Sequence, residues 1–341
     1  MLIIATIEKY LLMENHIKKI ILAGADVFRL NFSYSTIEEN VQHINITQQV
    51  IDELNSSAKI LIDFPTNKVR LGDFDLKLFP VNENDKITLK SGAFTFDCYE
   101  YIPVQLPNLG NRLSVGQSVT IGDGEVSIQI SEIIDENTVK AIVQNKGVIQ
   151  YMKTFNVSQE INEGKIIKNL KEIIEKIRHL DTRYFAISYY NSALFEKLCK
   201  IIREEKRKKK IVLKIEEMLD LELLKRIFEK NDFDLIMIDR GELGVNAPYY
   251  KIGTYQKQVT ALAKKYKKPV IISTQIIEST MNNYIPNRAE ILDITNMVLD
   301  GIDGVLLCRE TAINQRAAYA IATTKKIIAD AEKFKLTMNN K

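Results

Sequence analysis

The sequence has no apolar stretch approaching the roughly 20 residues that a membrane-spanning helix needs, so a chain that crosses a bilayer as helices is not expected. Cysteine is scarce: Cys98, Cys199 and Cys308 are widely separated and odd in number. That leaves no secreted disulfide framework and no cysteine metal-ligand spacing, and suits a cytoplasmic protein. A charge bias is missing too. The 341 residues carry a formal net charge of +3, too near balance to argue for a nucleic-acid partner. One basic run, Arg203 to Lys210, stands out and reads as a solvated helix end before a strand. The opening apolar run Leu2 to Ile7 is short and has no basic leader, so it is expected to be a strand and not a signal peptide.

What is present is a repeated alternation. Eight short, β-rich apolar runs occur at Leu2–Thr6, Val27–Asn31, Lys59–Asp63, Tyr184–Ser188, Ile211–Lys214, Leu235–Ile238, Val270–Ser273 and Val305–Cys308. Near-continuous apolar runs of this length are what strands buried on both faces require. Between them, segments such as Glu14–Leu22, Ile37–Leu54 and Leu219–Glu229 carry apolar residues at three- and four-residue spacing. The alternation predicts an α/β fold, a closed (β/α)8 TIM barrel, with an open doubly wound sheet as the rival.

One interval breaks the rhythm. About 120 residues separate the third strand from the fourth. Within it, Lys86–Leu89, Ser118–Ile121, Glu125–Ile130 and Thr138–Val143 read as strands parted by Asn, Asp and Gly turns. The expected organisation is a barrel formed by residues 1–70 and 156–341, with a small antiparallel β-barrel lid domain inserted at 71–155.

In such barrels chemistry lies at the C-terminal ends of the strands. Those ends carry Thr6; Arg29, Asn31 and Ser33; Asp63, with Arg70 soon after; Ser188; Lys214 and Glu216; Arg240 and Glu242; Thr274; and Glu310 with Thr311. Singly, each has a plain explanation as a turn or a surface pair. Together they bring carboxylates, cations and hydroxyls from different strands to one mouth. Glu216 and Glu242 are hard oxygen donors suited to Mg²⁺ or Mn²⁺. Arg29 and Lys214 suit a phosphoryl or enolate charge. Gly241 to Gly244, opening a helix, offers backbone N–H groups to a carboxylate, and Thr274 a hydroxyl partner or proton relay.

These residues, in this order, resemble the pyruvate kinase family, from Ile3 to about Ile328. The telling pieces include Phe28-Arg-Leu-Asn-Phe-Ser33, Ile62-Asp63, Val69-Arg70, Gly122-Asp-Gly124 and Lys214-Ile-Glu216. Further along come Arg240-Gly-Glu-Leu-Gly244, Thr274-Gln275, Arg288-Ala-Glu290 and Glu310-Thr-Ala312. The resemblance implies a β domain inserted in the barrel and closing over a nucleotide. It implies that Lys214 stabilises the transferring phosphoryl group and the enolate, and that Glu216 and Glu242 hold the divalent metal. Arg29, Ser188 and Gly241 with Glu242 would meet the substrate, and Thr274 would lie near the carbon being protonated. Asn31, Ser33 and Asp63 match the monovalent-cation ligands, and Arg70, Asp123 and Lys146 the nucleotide side. The implied reaction is glycolytic: phosphoryl transfer between phosphoenolpyruvate and a nucleoside diphosphate such as ADP, giving pyruvate. A homo-oligomer is compatible with it.

The departures are specific. The family's second acidic metal ligand is Asp, one methylene shorter than Glu242. Its Gly-Pro after the first strand is Glu8-Lys9 here, and its His after the second-strand Ser is Tyr34. Its Lys-Gly-Pro after the third-strand Asp is Pro65-Thr66-Asn67, and its Ser-Gly before Glu-Thr is Cys308-Arg309. Lys68 stands where potassium-dependent members carry Glu, so its ammonium is expected to replace the monovalent cation and remove the need for K⁺. The match ends where the family's C-terminal domain begins, and a form without that domain and its effector site is expected. The changes fall mainly on the nucleotide side. That keeps open two alternatives: an enzyme of another phosphoenol or 2-oxo acid, and a non-catalytic binding relative.

Overall fold

The computed structural model describes residues 1–8, 13–33, 35–65, 68–157, 162–189, 191–205 and 209–339. Lys9, Tyr34, Thr66 and Asn67, named above as departures, and the middle of the basic run lie outside the described residues. Two compact units divide the chain: residues 1–66 with 162–341, and residues 67–161.

In the first unit eight strands close into a barrel: β1 (Leu2–Ile7), β2 (Val27–Asn31), β3 (Lys59–Asp63), β4 (Tyr184–Ser188), β5 (Lys210–Ile215), β6 (Leu235–Asp239), β7 (Val270–Ser273) and β8 (Gly304–Leu307). Every neighbouring pair is parallel, and β8 closes on β1 with Gly304 opposite Leu2. The strand bounds agree with the apolar runs to within a residue, since a strand covered on both faces needs apolar side chains along its whole length. Helices follow the strands in turn: Glu14–Ala23, Ile37–Glu53, Glu163–Ile177, Ser192–Arg203, Leu221–Lys230, Ile252–Lys265, Arg288–Asp300 and Ala317–Asn339. The second of these begins with a capping box, Thr36 and Glu39 each satisfying the other's backbone N–H. Lys209, in the basic run, is not solvated as the run suggests: it is buried, its ammonium donating to the Thr182 carbonyl at 2.7 Å.

The barrel has two apolar layers. Ile3, Ala5, Phe28, Leu30, Ile60, Ile62 and Phe185 pack outward with the helices. Ile4, Val27, Leu61, Ala186, Val212, Leu235, Met237, Ile271 and Leu306 form a separate cluster that fills the interior. This alternation along each strand is the period of two that a pleated strand imposes.

The second unit has its own core, which includes Phe74, Leu89, Val104, Val126, Ile128, Val143 and Phe155. A six-stranded sheet runs in the order Phe155–Asn156, Ser118–Ile121, Val126–Ile133, Thr138–Val143, Lys86–Ser91 and Ile102–Val104. Two short ladders join Gly147–Gln150 to Leu78–Val81 and Asp73–Phe74 to Phe94–Thr95. Most pairs are antiparallel. Two run parallel, Lys86–Ser91 with Ile102–Val104 and Asp73–Phe74 with Phe94–Thr95, because the intervening chain returns to its starting end before it pairs.

Candidate active site

The interior register explains how a polar site arises on an apolar barrel. Ile4, Val27, Leu61, Ala186, Val212, Met237 and Leu306 belong to the interior cluster. Two residues further along each strand the same face returns, at Thr6, Arg29, Asp63, Ser188, Lys214, Asp239 and Cys308. With Ser273 two residues beyond interior Ile271 on β7, one polar group from each of the eight strands thus reaches the C-terminal mouth, directly above the apolar filling.

Asp63 is the hub. Its Oδ2 accepts from Arg29 Nε at 2.8 Å and from Arg29 Nη2 at 2.6 Å. Its Oδ1 lies 2.9 Å from Lys214 Nζ, which is also 2.8 Å from Glu216 Oε1. Arg29 Nη1 donates to Thr6 Oγ1 at 3.2 Å. The three central residues are 1 % (Asp63), 4 % (Lys214) and 8 % (Arg29) exposed, so these pairs work at low dielectric. Burial is the largest single influence and opposes both positive charges, but it is outweighed by Asp63, Glu216 and Asp239 together for Lys214, and by Asp63, Cys308 and Asp239 together for Arg29. Both cations are held well above their ordinary values. Such groups stabilise the fold fully below their unfolded pKa and lose that contribution only as pH rises through the higher folded one. Both therefore stay charged throughout the pH range of an enzyme assay.

The charge count is uneven. Asp63, Glu216 and Asp239 face Arg29 and Lys214, three carboxylates to two cations, and Glu242 lies in the first turn of the helix Arg240–Asn246 that follows β6. Burial, with Glu216 beside it, also raises the Glu217 carboxyl. Ser188, opposite Lys214 in the β4–β5 ladder, is 4 % exposed, and among the described residues its Oγ has no hydrogen-bond partner. An unsatisfied buried hydroxyl costs about 1–3 kcal/mol, a cost that a bound oxygen-rich ligand would remove.

Thr274 is out of the strand register. It comes three residues after interior Ile271, so a continuing strand would turn its side chain outward. Instead its φ is 74°, followed by Gln275 at 53°. For a β-branched residue this left-handed backbone is strained, by about 1–3 kcal/mol. The turn delivers the Thr274 hydroxyl to Asp239 Oδ1 at 2.9 Å.

Two strand-end residues serve the frame. Glu310, 1 % exposed, accepts three backbone N–H groups, from Ile276, Ile277 and Cys308, and so ties the loop after β7 to the one after β8. Thr311 Oγ1 donates to the Leu307 carbonyl and accepts from the Thr6 N–H, joining β8 to β1. Asn31 stands opposite Asp63 in the β2–β3 register, and its Oδ1 accepts from the Ser33 N–H at 3.0 Å. The remaining expected residues lie in the second unit. Arg70 donates to the Met152 carbonyl at 3.1 Å, Lys68 is half-buried, and Asp123 and Lys146 are exposed. The residue that sequence reasoning missed is Asp239. The signal that marks it is its place as the carboxylate closing β6, two residues beyond interior Met237.

A family model for the pyruvate kinase barrel domain matches residues 1–321. The chain belongs to the pyruvate kinase family. It is a pyruvate kinase-like phosphotransferase by family, relatives and fold. Pyruvate kinase of Thermotoga maritima is 32% identical over 321 residues, covering 93% of this chain and 68% of its own. Pyruvate kinase of Thermococcus litoralis is 32% identical over 335 residues, covering 98% and 70% respectively. The crystal structure of Cryptosporidium parvum pyruvate kinase superposes with a TM-score of 0.86 at 26% identity, over 97% of this chain and 70% of that one. Among the described residues no helix is long and apolar enough to cross a membrane.

Proposed function

We propose that this member of the pyruvate kinase family transfers a phosphoryl group between phosphoenolpyruvate and a nucleoside diphosphate, with a divalent metal, giving pyruvate. The observation that carries the reading is the buried Lys214, ion-paired to Asp63 and Glu216 beside Arg29 at the barrel mouth. Such a fixed cation meets charge that grows on the phosphoryl group and the enolate, and a preorganised charge costs no reorganisation at the moment of reaction. Arg29 would bind the phosphoryl oxygens, and the Ser188 hydroxyl would donate to them. Thr274 would stand beside the carbon that gains a proton. Gly241 and Glu242, at the start of their helix, would meet the carboxylate end of the substrate. On the second unit, Arg70, Asp123 and Lys146 are assigned to the nucleotide.

The donor set fits a divalent cation. Among the described residues no three His, Cys, Asp or Glu side chains converge to hold a metal. Two carboxylates with substrate oxygens and water is the way Mg²⁺ is commonly held, and the excess of carboxylates over cations leaves charge for it to neutralise. Glu216 and Glu242 would hold Mg²⁺ or Mn²⁺, which when bound withdraws charge from the substrate oxygens. The test follows phosphoenolpyruvate and nucleotide by ³¹P NMR, before and after chelation. Conversion that stops on chelation and returns with Mg²⁺ or Mn²⁺ supports the reading; conversion indifferent to chelation contradicts it.

Added potassium is not needed in this reading. Both Asp63 carboxylate oxygens already face cations of the chain, Arg29 and Lys214. Initial rates in tetramethylammonium and in potassium buffers should agree within about two-fold. A ten-fold rise with potassium counts against it. A cytoplasmic site of action accords with three free thiols. A second reading, a 2-oxo acid enzyme with little use for nucleotide, draws on the replaced residues Glu8 and Cys308-Arg309.

A further inference from the structure

The turn after β7 is held by more contacts than a connecting loop needs. Arg240 Nε and Nη2 donate to the Thr274 carbonyl at 3.1 and 2.8 Å, and Nη2 also reaches the Gln275 carbonyl at 2.8 Å. Arg240 is itself fixed by Asp293 at 2.6 Å. The backbone of Thr274 is thereby locked, but these bonds leave its hydroxyl free to rotate. Asp239 supplies the missing constraint, its Oδ1 accepting from Thr274 Oγ1 at 2.9 Å. Room for this arrangement depends on Gly241: a Cβ there would lie 3.1 Å from Thr274 Cγ2, 3.3 Å from its Oγ1 and 3.5 Å from Asp239 Oδ1.

A hydroxyl has one proton to give. Because Thr274 gives it to Asp239, the 3.8 Å contact between Thr274 Oγ1 and Cys308 Sγ must run the other way, the thiol donating. The thiol is available to do so, since burial, with Glu310 and Asp239 nearby, pushes it up to about 12 and keeps it protonated. The groups around Asp239 are thus the Thr274 hydroxyl, the Cys308 thiol and the two cations Arg29 and Lys214. With its proton and one lone pair committed, the Thr274 oxygen has a single lone pair left, aimed in one direction.

We propose that Asp239 is a positioning residue for the reaction, fixing the Thr274 hydroxyl in one rotamer through this hydrogen bond. The role rests on the functional reading above, in which Thr274 stands beside the carbon that gains a proton. Asp239 need not touch substrate; its part is to remove the rotational freedom that the Arg240 clamp leaves.

The test pairs kinetics with a readout that needs no turnover. In protein labelled with ¹³C at threonine methyls, three-bond couplings of the Thr274 Cγ2 report the rotamer. Wild type is expected to show one rotamer, Asp239→Ala an average of several, and Asp239→Asn, whose Oδ1 still accepts, one again. In parallel, Asp239→Ala should lower kcat roughly 10- to 100-fold, the scale of a misplaced group, with KM for phosphoenolpyruvate moving less than about three-fold. Asp239→Asn should restore most of the loss. Equal losses in both variants would make the negative charge the operative property and overturn the positioning role. A single rotamer retained in Asp239→Ala overturns it as well. Should Asp239→Ala not fold, Asp239→Asn alone decides, since an averaged rotamer there contradicts the proposal. If the wild type converts no phosphoenolpyruvate, the functional reading fails while the methyl couplings still decide the role of Asp239.

Discussion

Lys214→Met is expected to lower turnover by about 10²–10³, the typical loss when one preorganised donor to a transition-state charge is removed. Lys214 stands one strand period beyond the interior residue Val212, so the register of β5 itself aims its ammonium at the mouth. Its position is fixed from two sides, by Asp63 Oδ1 at 2.9 Å and Glu216 Oε1 at 2.8 Å. A charge held this way interacts more strongly with a developing enolate than with the ground state, so its loss should fall on kcat more than on KM. Methionine keeps most of the stem's volume, and Asp63 retains Arg29 as a partner, so the barrel should still fold. Steady-state kinetics with phosphoenolpyruvate affinity followed separately checks this. Near-normal turnover in the variant would make Lys214 a structural residue.

The largest stability loss is expected from Asp63→Ala. One carboxylate, 1 % exposed, compensates two cations that are themselves 8 % (Arg29) and 4 % (Lys214) exposed. Its removal leaves both charges inside the barrel, with Glu216 and Asp239 still acting on Lys214 and Asp239 on Arg29. Breaking a buried pair from one side costs about 3–5 kcal/mol, because the orphaned charge retains its desolvation penalty. Urea unfolding, read as a shift in midpoint at unchanged slope, measures it. A loss below about 1 kcal/mol would mean that water reaches Arg29 and Lys214 and that the hub is not closed. The same change at an exposed pair such as Lys140–Glu132 should cost under about 1 kcal/mol.

The barrel was legible in the sequence for a definite reason. A parallel strand covered on both faces must be apolar throughout, so each of the eight left a continuous run, and only terminal residues such as Lys210, Ile215 and Asp239 lay outside the expected bounds. The inserted unit was legible in part. Its longer strands alternate visibly, but Asp73–Phe74, Phe94–Thr95 and Phe155–Asn156 are two residues each, too short to carry a period. The parallel pairing of Ile102–Val104 beside Lys86–Ser91 depends on where the chain returns, which no local pattern encodes.

At the site, residue types were legible and their division of labour was not. The strand-end rule picked out Arg29, Asp63, Ser188 and Lys214, but that Asp63 binds both cations is a fact of three strands meeting. Glu310 satisfied the same rule and proved to be a frame residue, since its oxygens are taken by backbone N–H groups. Thr274 followed from the same strand-end rule, as the residue after β7, whereas the left-handed turn that points it at Asp239 is a tertiary outcome, imposed by Arg240 from the neighbouring strand end.

Whether this site moves a phosphoryl group from phosphoenolpyruvate to a nucleoside diphosphate is decided by pyruvate release. Purified protein is given phosphoenolpyruvate, Mg²⁺ and each of a panel of nucleoside diphosphates, and pyruvate and nucleoside triphosphate are both measured. Equal amounts of the two products are expected with at least one nucleotide, and none when phosphoenolpyruvate, metal or nucleotide is left out. Phosphoenolpyruvate that binds but yields no pyruvate with any nucleotide would contradict it.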